Sequence, residues 1–289
     1  MSRAVPEPLQ CGRFTLTFER PLVMGILNVT PDSFSDGGQF AARDDALRQA
    51  EQMLRAGVDI IDIGGESSRP GAPPVPLEVE LERVMPLLEQ LRDAQVPLSV
   101  DTYKPEVMRA ALAAGADLIN DIWGFRLPGA LEAVRDSTCG LCVMHMQGEP
   151  QTMQLGATVY QDVVAEVREF LQSRADALIH AGIAKARICV DPGFGFGKGV
   201  VEHNYALLAQ LQATAPQGAR PFPILAGISR KSMLGAVTGR AASERLAASL
   251  AAAVCAVERG AAIVRVHDVA PTVDALKIWV AVRDAALGG

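Results

Sequence analysis

The sequence predicts an α/β chain folded as a single TIM-type (β/α)8 barrel with a short N-terminal β-hairpin. Three observations predict it. From residue 22 onward, short apolar runs alternate with longer helical patterns, and the cycle repeats eight times. The apolar runs show little polar alternation, as expected of strands buried on both faces of a parallel sheet. Several helical stretches end at a glycine just before the next run, at Gly57, Gly115, Gly182 and Gly260, which fits C-terminal caps. Eight such units in about 250 residues suit a closed barrel. Two doubly wound sheets would need a linker between them, and the sequence offers none.

The elements follow in order. Residues 11–19, CGRFTLTFE, alternate like a hairpin strand ahead of the barrel. The predicted strands are Val23–Asn28, Asp59–Ile63, Leu98–Asp101, Leu118–Ile122, Leu141–His145, Ile188–Asp191, Ile224–Ala226 and Ile263–Val266. Helical patterns cover Asp45–Ala56, Leu77–Ala94, Pro105–Ala114, Asp162–Ala181, Ser243–Glu258 and Pro271–Ala286. The Pro-rich stretch Pro70–Pro76 falls inside a βα connection and is a loop, not a boundary. One domain is therefore expected over residues 1–289, with 1–20 as extension and hairpin and 21–289 as barrel.

Composition narrows the class. With 49% hydrophobic and 21% charged residues the chain has ample material for a core and does not read as disordered. A net charge of −6 speaks against a general nucleic-acid surface. The N-terminus lacks the apolar core of a signal peptide. The longest apolar run, Leu246–Val257, is Ala-rich, contains Ser249 and is too short to span a bilayer. A soluble, cytoplasmic protein with no membrane partner is expected. The five cysteines form an odd set that suggests no disulfide framework. Cys139 and Cys142 make a C-x-x-C with His145 nearby, but no second pair stands at zinc-like spacing and Cys142 lies inside a strand, so these residues read as structural.

Almost every predicted strand ends in a side chain able to do chemistry. These are Asn28, Asp101, Asn120 with Asp121, His145, Asp191, Ser229-Arg230-Lys231, and Arg265 with His267. In such a barrel those ends converge on one face. The sixth strand delivers Asp191 into Pro192-Gly193-Phe194-Gly195-Phe196-Gly197-Lys198, where three alternating glycines let a flat ligand or an anion approach the backbone. A dinucleotide fingerprint needs Gly where Lys198 stands, and a P-loop needs Ser or Thr at Gly199, so neither motif applies.

Taken together, MGILNVTPDSFSDGG (24–38), DIGGESSRPG (62–71), SVDT (99–102), NDI (120–122), MHMQG (144–148), DPGFGFGK (191–198), GISRKS (227–232) and RVHD (265–268) resemble the dihydropteroate synthase family of folate biosynthesis. They run in family order over residues 22–268, with Ser68 where the family usually has Thr. The resemblance implies a transferase. It would condense 6-hydroxymethyl-7,8-dihydropterin pyrophosphate with p-aminobenzoate, giving 7,8-dihydropteroate and pyrophosphate through a dissociative, Mg²⁺-assisted substitution. It also implies a pterin-binding set of Asp101, Asn120, Asp191 and Lys231, whose donors and acceptors complement the 2-amino-4-oxo edge of a pterin. Pyrophosphate would be held by Asn28, Arg69, Arg265 and His267, with Asn28 on the metal. Phe34, Ser68, Arg69, Pro70, Phe196 and Ser232 would form the p-aminobenzoate subsite, the target of sulfonamides. Asp101, Lys231, Arg265 and His267 carry the expected catalytic roles, and His145 reads as structural. A homodimer is expected, with the apolar helices around Leu246–Val257 and Leu276–Val282 as interface material. Three other readings compete: a pterin-dependent methyltransferase of the same barrel, an aldolase with Lys231 as Schiff-base lysine, and a non-catalytic pterin-binding paralogue. Against the aldolase, Arg230 beside Lys231 suits anion binding equally well.

Overall fold

The computed structural model describes residues 6–29, 38–67, 71–148, 159–218 and 221–287. A hairpin of β1 (Leu9–Cys11) and β2 (Phe14–Leu16) precedes the barrel strands β3 (Leu22–Asn28), β4 (Ile60–Gly64), β5 (Leu98–Asp101), β6 (Leu118–Asp121), β7 (Gly140–Met144), β8 (Ile188–Asp191), β9 (Ile224–Ala226) and β10 (Ala261–Val266). The eight barrel strands pair in chain order, all parallel, and β10 closes on β3. The helices are α1 (Gly38–Ala56), α2 (Leu77–Leu91), α3 (Pro105–Ala113), α4 (Ala130–Val134), α5 (Val163–His180), α6 (Glu202–Ala209), α7 (Ser232–Thr238), α8 (Leu246–Glu258) and α9 (Val269–Leu287). Among the described residues no helix is long and apolar enough to cross a membrane.

The strands form where the sequence places buried β-branched runs, and all eight match their predicted positions to within two residues. The four predicted caps Gly57, Gly115, Gly182 and Gly260 adopt positive φ at the ends of α1, α3, α5 and α8, the backbone state for which glycine has no steric penalty. The N-terminal alternation resolves differently from its expected span. Residues 11–19 hold the turn at Gly12 and the second strand, while the first strand starts earlier, at Leu9. The two strands exchange partners Leu9–Leu16 and Cys11–Phe14, so the apolar alternation is split by the turn.

That hairpin closes the N-terminal end of the barrel. Leu9 and Cys11 join Met24, Ile60, Cys142 and Leu225 in an apolar plug inside the lumen. A second, larger cluster fills the layer between the outer strand faces and the helices. The plug leaves the lumen open to chemistry only at the C-terminal ends of the strands.

Candidate active site

At those C-terminal ends the lumen fills with charge. Asp62 points inward from the middle of β4 and is fully buried. It accepts from Ser99 Oγ (2.5 Å), Asn120 Nδ2 (3.3 Å) and Arg265 Nε (2.6 Å). Asp101, the last residue of β5, accepts from Arg265 Nη2 at 2.7 Å. One guanidinium therefore bridges carboxylates from two neighbouring strands while reaching across from β10.

Asp191, at the end of β8, turns back to accept the Gly193 N–H at 2.7 Å. Lys231, the N-cap of α7, donates to the Phe194 carbonyl, and its ammonium stands 4.6 Å from the centroid of the Phe196 ring. Gly227 is the point around which these groups gather. A Cβ there would lie 3.8 Å from Asp191 Oδ2, 3.9 Å from Arg265 Cβ and 4.0 Å from Lys231 Nζ. On the other side Asn28 Oδ1 and Asp101 Cβ flank Gly64, at 3.2 and 3.8 Å from where its Cβ would be.

Burial sets the electrostatics. It pushes the Asp101 carboxyl up to about 7; Arg265 pulls the other way, and Asp62 adds to the rise. Asp191 is raised by burial as well, partly offset by Lys231 and by the Gly193 N–H. Lys231 is brought down to about 8 by the same loss of water, against the pull of Asp191. Burial alone would also lower Arg265, but Asp62 and Asp101 outweigh it and hold the guanidinium firmly charged. The site thus holds a carboxyl and an ammonium whose proton affinities both lie near neutrality.

The structure brings together Asn28, Asp101, Asn120, Asp191, Lys231 and Arg265. His267 lies at the rim, its backbone N–H and Nδ1 both 3.2 Å from Ser229 Oγ. Phe196 is buried against Ile122, Met144 and Met146 as well as beside Lys231. Ser232 opens α7 and is exposed. Phe34, Ser68, Arg69 and Pro70 lie outside the described residues.

Two strand-end residues do other work. Asp121 accepts the N–H groups of Trp123 (2.8 Å) and Phe125 (2.7 Å), so it shapes a turn. Arg230, read as suited to an anion, instead forks onto the Asp268 carboxylate through Nε (2.9 Å) and Nη2. That clamp joins the connections after β9 and β10 and sets Lys231 and His267 on the same rim. Sequence reasoning passed over Asp62 and Ser99. The available signal was a carboxylate interrupting the apolar run Ile60-Ile61-Asp62-Ile63, which in a strand buried on both faces demands an internal partner.

Residues 24–267 match the family described as pterin binding enzyme. A dihydropteroate synthase from Neisseria meningitidis serogroup B is 50% identical over 276 residues, covering 93% of this chain and 95% of its own. The chain belongs to the dihydropteroate synthase family. A crystal structure of Burkholderia cenocepacia dihydropteroate synthase complexed with 7,8-dihydropteroate is 69% identical, covers 99% of both chains and superposes with a TM-score of 0.92. The Xanthomonas albilineans dihydropteroate synthase with 4-aminobenzoic acid is 50% identical over 96% of this chain and 98% of its own, with a TM-score of 0.89. Dihydropteroate synthases are transferases, and this family member is one. The methyltransferase and aldolase readings give way before identity of this extent.

Proposed function

We propose that the barrel joins p-aminobenzoate to 6-hydroxymethyl-7,8-dihydropterin pyrophosphate, releasing pyrophosphate and 7,8-dihydropteroate. The observation that carries this reading is the gathering of Asp191, Asn120 and Lys231 in one buried lumen beside the Asp101–Arg265 pair. A carboxylate accepts from the pterin N2 and N3, an amide both donates and accepts, and an ammonium donates to O4. Hydrogen bonds to charged groups contribute about 1.5–3 kcal/mol each, enough for a few of them to select a pterin. The product-bound Burkholderia relative and the aminobenzoate-bound Xanthomonas relative support the same assignment.

Arg265 has two jobs in sequence. Before substrate binds it neutralises Asp62 and Asp101. An arriving diphosphate draws Nη2 away from Asp101, with His267 as its neighbour on the rim, while Nε stays on Asp62. Asp101, released, then faces the pterin ring and stabilises the positive charge that develops as the C–O bond breaks. The amine of p-aminobenzoate is uncharged at neutral pH and attacks without a strong base. Phe196 and Ser232, with Phe34, Ser68, Arg69 and Pro70, make the acceptor subsite, and sulfonamides compete there as aniline mimics.

Among the described residues no group of three His, Cys, Asp or Glu could hold a metal alone. The neutral Asn28 Oδ1 beside Gly64 fits a hard cation whose other ligands are diphosphate oxygens and water. Bound there, Mg²⁺ supplies charge neutralisation for the leaving group. The free thiols at Cys11, Cys139, Cys142, Cys189 and Cys255 suit a cytoplasmic setting. Exposed Ile278 and Val282 on α9 and Leu246 on α8 offer the surface for a second copy.

The test is pyrophosphate release from purified protein given both substrates and Mg²⁺. Release that requires the aniline and the metal, and is lost in Lys231→Ala, is expected. Tight pterin binding without release would identify a non-catalytic paralogue instead.

A further inference from the structure

Behind the Gly193–Gly197 turn lies a second lysine to which the reaction assigns no task. Lys198 is 1% exposed and is among the largest fully buried side chains of the protein. Its three N–H bonds meet three acceptors: Gly193 O at 2.8 Å, Phe196 O at 3.0 Å and His145 Nδ1 at 2.9 Å, with His145 O at 3.5 Å. Burial first, and then the field of Lys198, push His145 well below the usual imidazole range. A neutral ring presents the Nδ1 lone pair to the ammonium and carries its proton on Nε2. Phe170 packs edge-on to that ring, with centroids 4.8 Å apart, and holds the acceptor in place. Burial draws Lys198 down as well, opposed by Asp191. Ammonium with the Nε2–H ring, or amine with the Nδ1–H ring, satisfies both carbonyls and the imidazole, so the contacts hold the curl in either protonation state.

Gathering the 193 and 196 carbonyls onto one Nζ curls the turn, and the intervening Phe194 carbonyl faces Lys231. The curl is possible only with glycine. At Gly193 (φ +69°) and Gly197 (φ +61°) an added Cβ would come within 1.9 Å of His145 O and 2.2 Å of Gln147 O. We propose that Lys198 is a positioning residue of the pterin site: by holding this curl it aims the Phe194 carbonyl and the Phe196 ring at Lys231 and fixes where that ammonium stands. The inference rests on the reading of Lys231 as a pterin ligand.

The groups facing Lys231 are Asp191 from β8, Asp101 from β5, Arg265 from β10, Lys198 behind the turn and the turn itself; His145→Phe, which keeps the Lys198 side chain, separates the loss of the curl from the loss of a neighbouring charge. Lys198→Met keeps the length and removes the donor. The turn then opens, water reaches Lys231, and its titration returns toward that of an ordinary lysine. Lysine ¹³Cε NMR of the full chain, with the Lys231 signal assigned through Lys231→Arg, should show the midpoint rising by about one unit. Affinity for dihydropterin pyrophosphate should fall about tenfold. His145→Phe removes one acceptor and should move both readouts the same way by less; it serves if Lys198→Met does not fold. A folded variant with lower thermal stability or kcat, but an unchanged Lys231 midpoint and unchanged pterin affinity, overturns the proposal. Native protein that binds no dihydropterin pyrophosphate would overturn the synthase reading, and the NMR midpoint would still decide on Lys198.

Discussion

At the floor of the barrel, Leu9, Cys11, Met24, Ile60 and Leu225 fill the lumen with apolar side chains, none of them accessible to water. Its principal carboxylate, Asp117, is bonded four times over, by the Leu98 N–H (3.0 Å), the Arg13 N–H (3.1 Å), Arg13 Nε (3.0 Å) and Arg13 Nη2 (2.8 Å). At the mouth, the same lumen holds Asp62, Asp101, Asp191, Lys231 and Arg265, and burial there lifts Asp101 to about 7 and lowers Lys231 to about 8. The difference teaches a division of labour. The floor supplies stability with every polar group matched, whereas the mouth keeps desolvated charges whose best partners arrive with the substrate.

Four measurements would break or sharpen this contrast. The largest effect is expected from Asp101→Asn, which should lower kcat by about 10³-fold while leaving pterin affinity within about threefold and thermal unfolding in place. Equal losses of kcat and affinity would mean that Asp101 is a ground-state ligand only. Asp117→Ala at the floor should do the reverse. It strands the buried Leu98 N–H and releases Arg13 from its carboxylate, and should cost about 2 kcal/mol of unfolding free energy with unchanged KM values, as read by urea denaturation and steady-state kinetics. A parallel fall in kcat/KM would show that the two ends are coupled.

A smaller effect is expected from pH. In the proposed mechanism Asp101 acts as a carboxylate; its pKa is raised, so activity should be lost as pH falls through about 7. In the same proposal Lys231 acts as an ammonium; its pKa is lowered, so activity should be lost as pH rises through about 8. A plot of log kcat/KM should be a narrow bell between these values; a flat profile from acid to alkaline pH would contradict the assignment. The smallest effect belongs to neither end. The Arg55–Glu51 pair on α1 is exposed, with side chains 79% and 60% accessible, and Arg55→Ala should change stability by no more than about 0.5 kcal/mol. A larger shift would show that surface charge contributes more than the floor–mouth division allows.

Much of this was legible in the amino-acid order. Asp101, Asn120, Asp191 and Lys231 stand at or just beyond strand ends, where a repeating βα pattern reveals phase, and so their convergence could be read without coordinates. The short helices α4 and α6 escaped notice because five to eight residues cannot display a helical period. Strand β10 starts at Ala261, earlier than expected, because Ala261-Ala262 carries no β-branched signal and is drawn into the sheet by pairing with Ile224. The choice of Asp62 and Asp101 as partners for Arg265 was not legible, since Asp62 and Arg265 are 203 residues apart and meet only once the barrel closes. Lys198 stayed unassigned for a similar reason: its role depends on the curl of a turn, and three glycines state only that a curl is permitted.

The turn at Gly193–Gly197 bears on how an inhibitor of this enzyme could be evaded. The wall it offers to a ligand is largely main chain. A carbonyl survives any amino-acid replacement, and at Gly193 and Gly197 there is no room for a new side chain to grow. Variants selected under drug pressure should therefore fall on residues whose side chains line the mouth, Phe196 of this turn included, and a compound that leans on the Phe194 carbonyl faces the part of the mouth that mutation can least redraw.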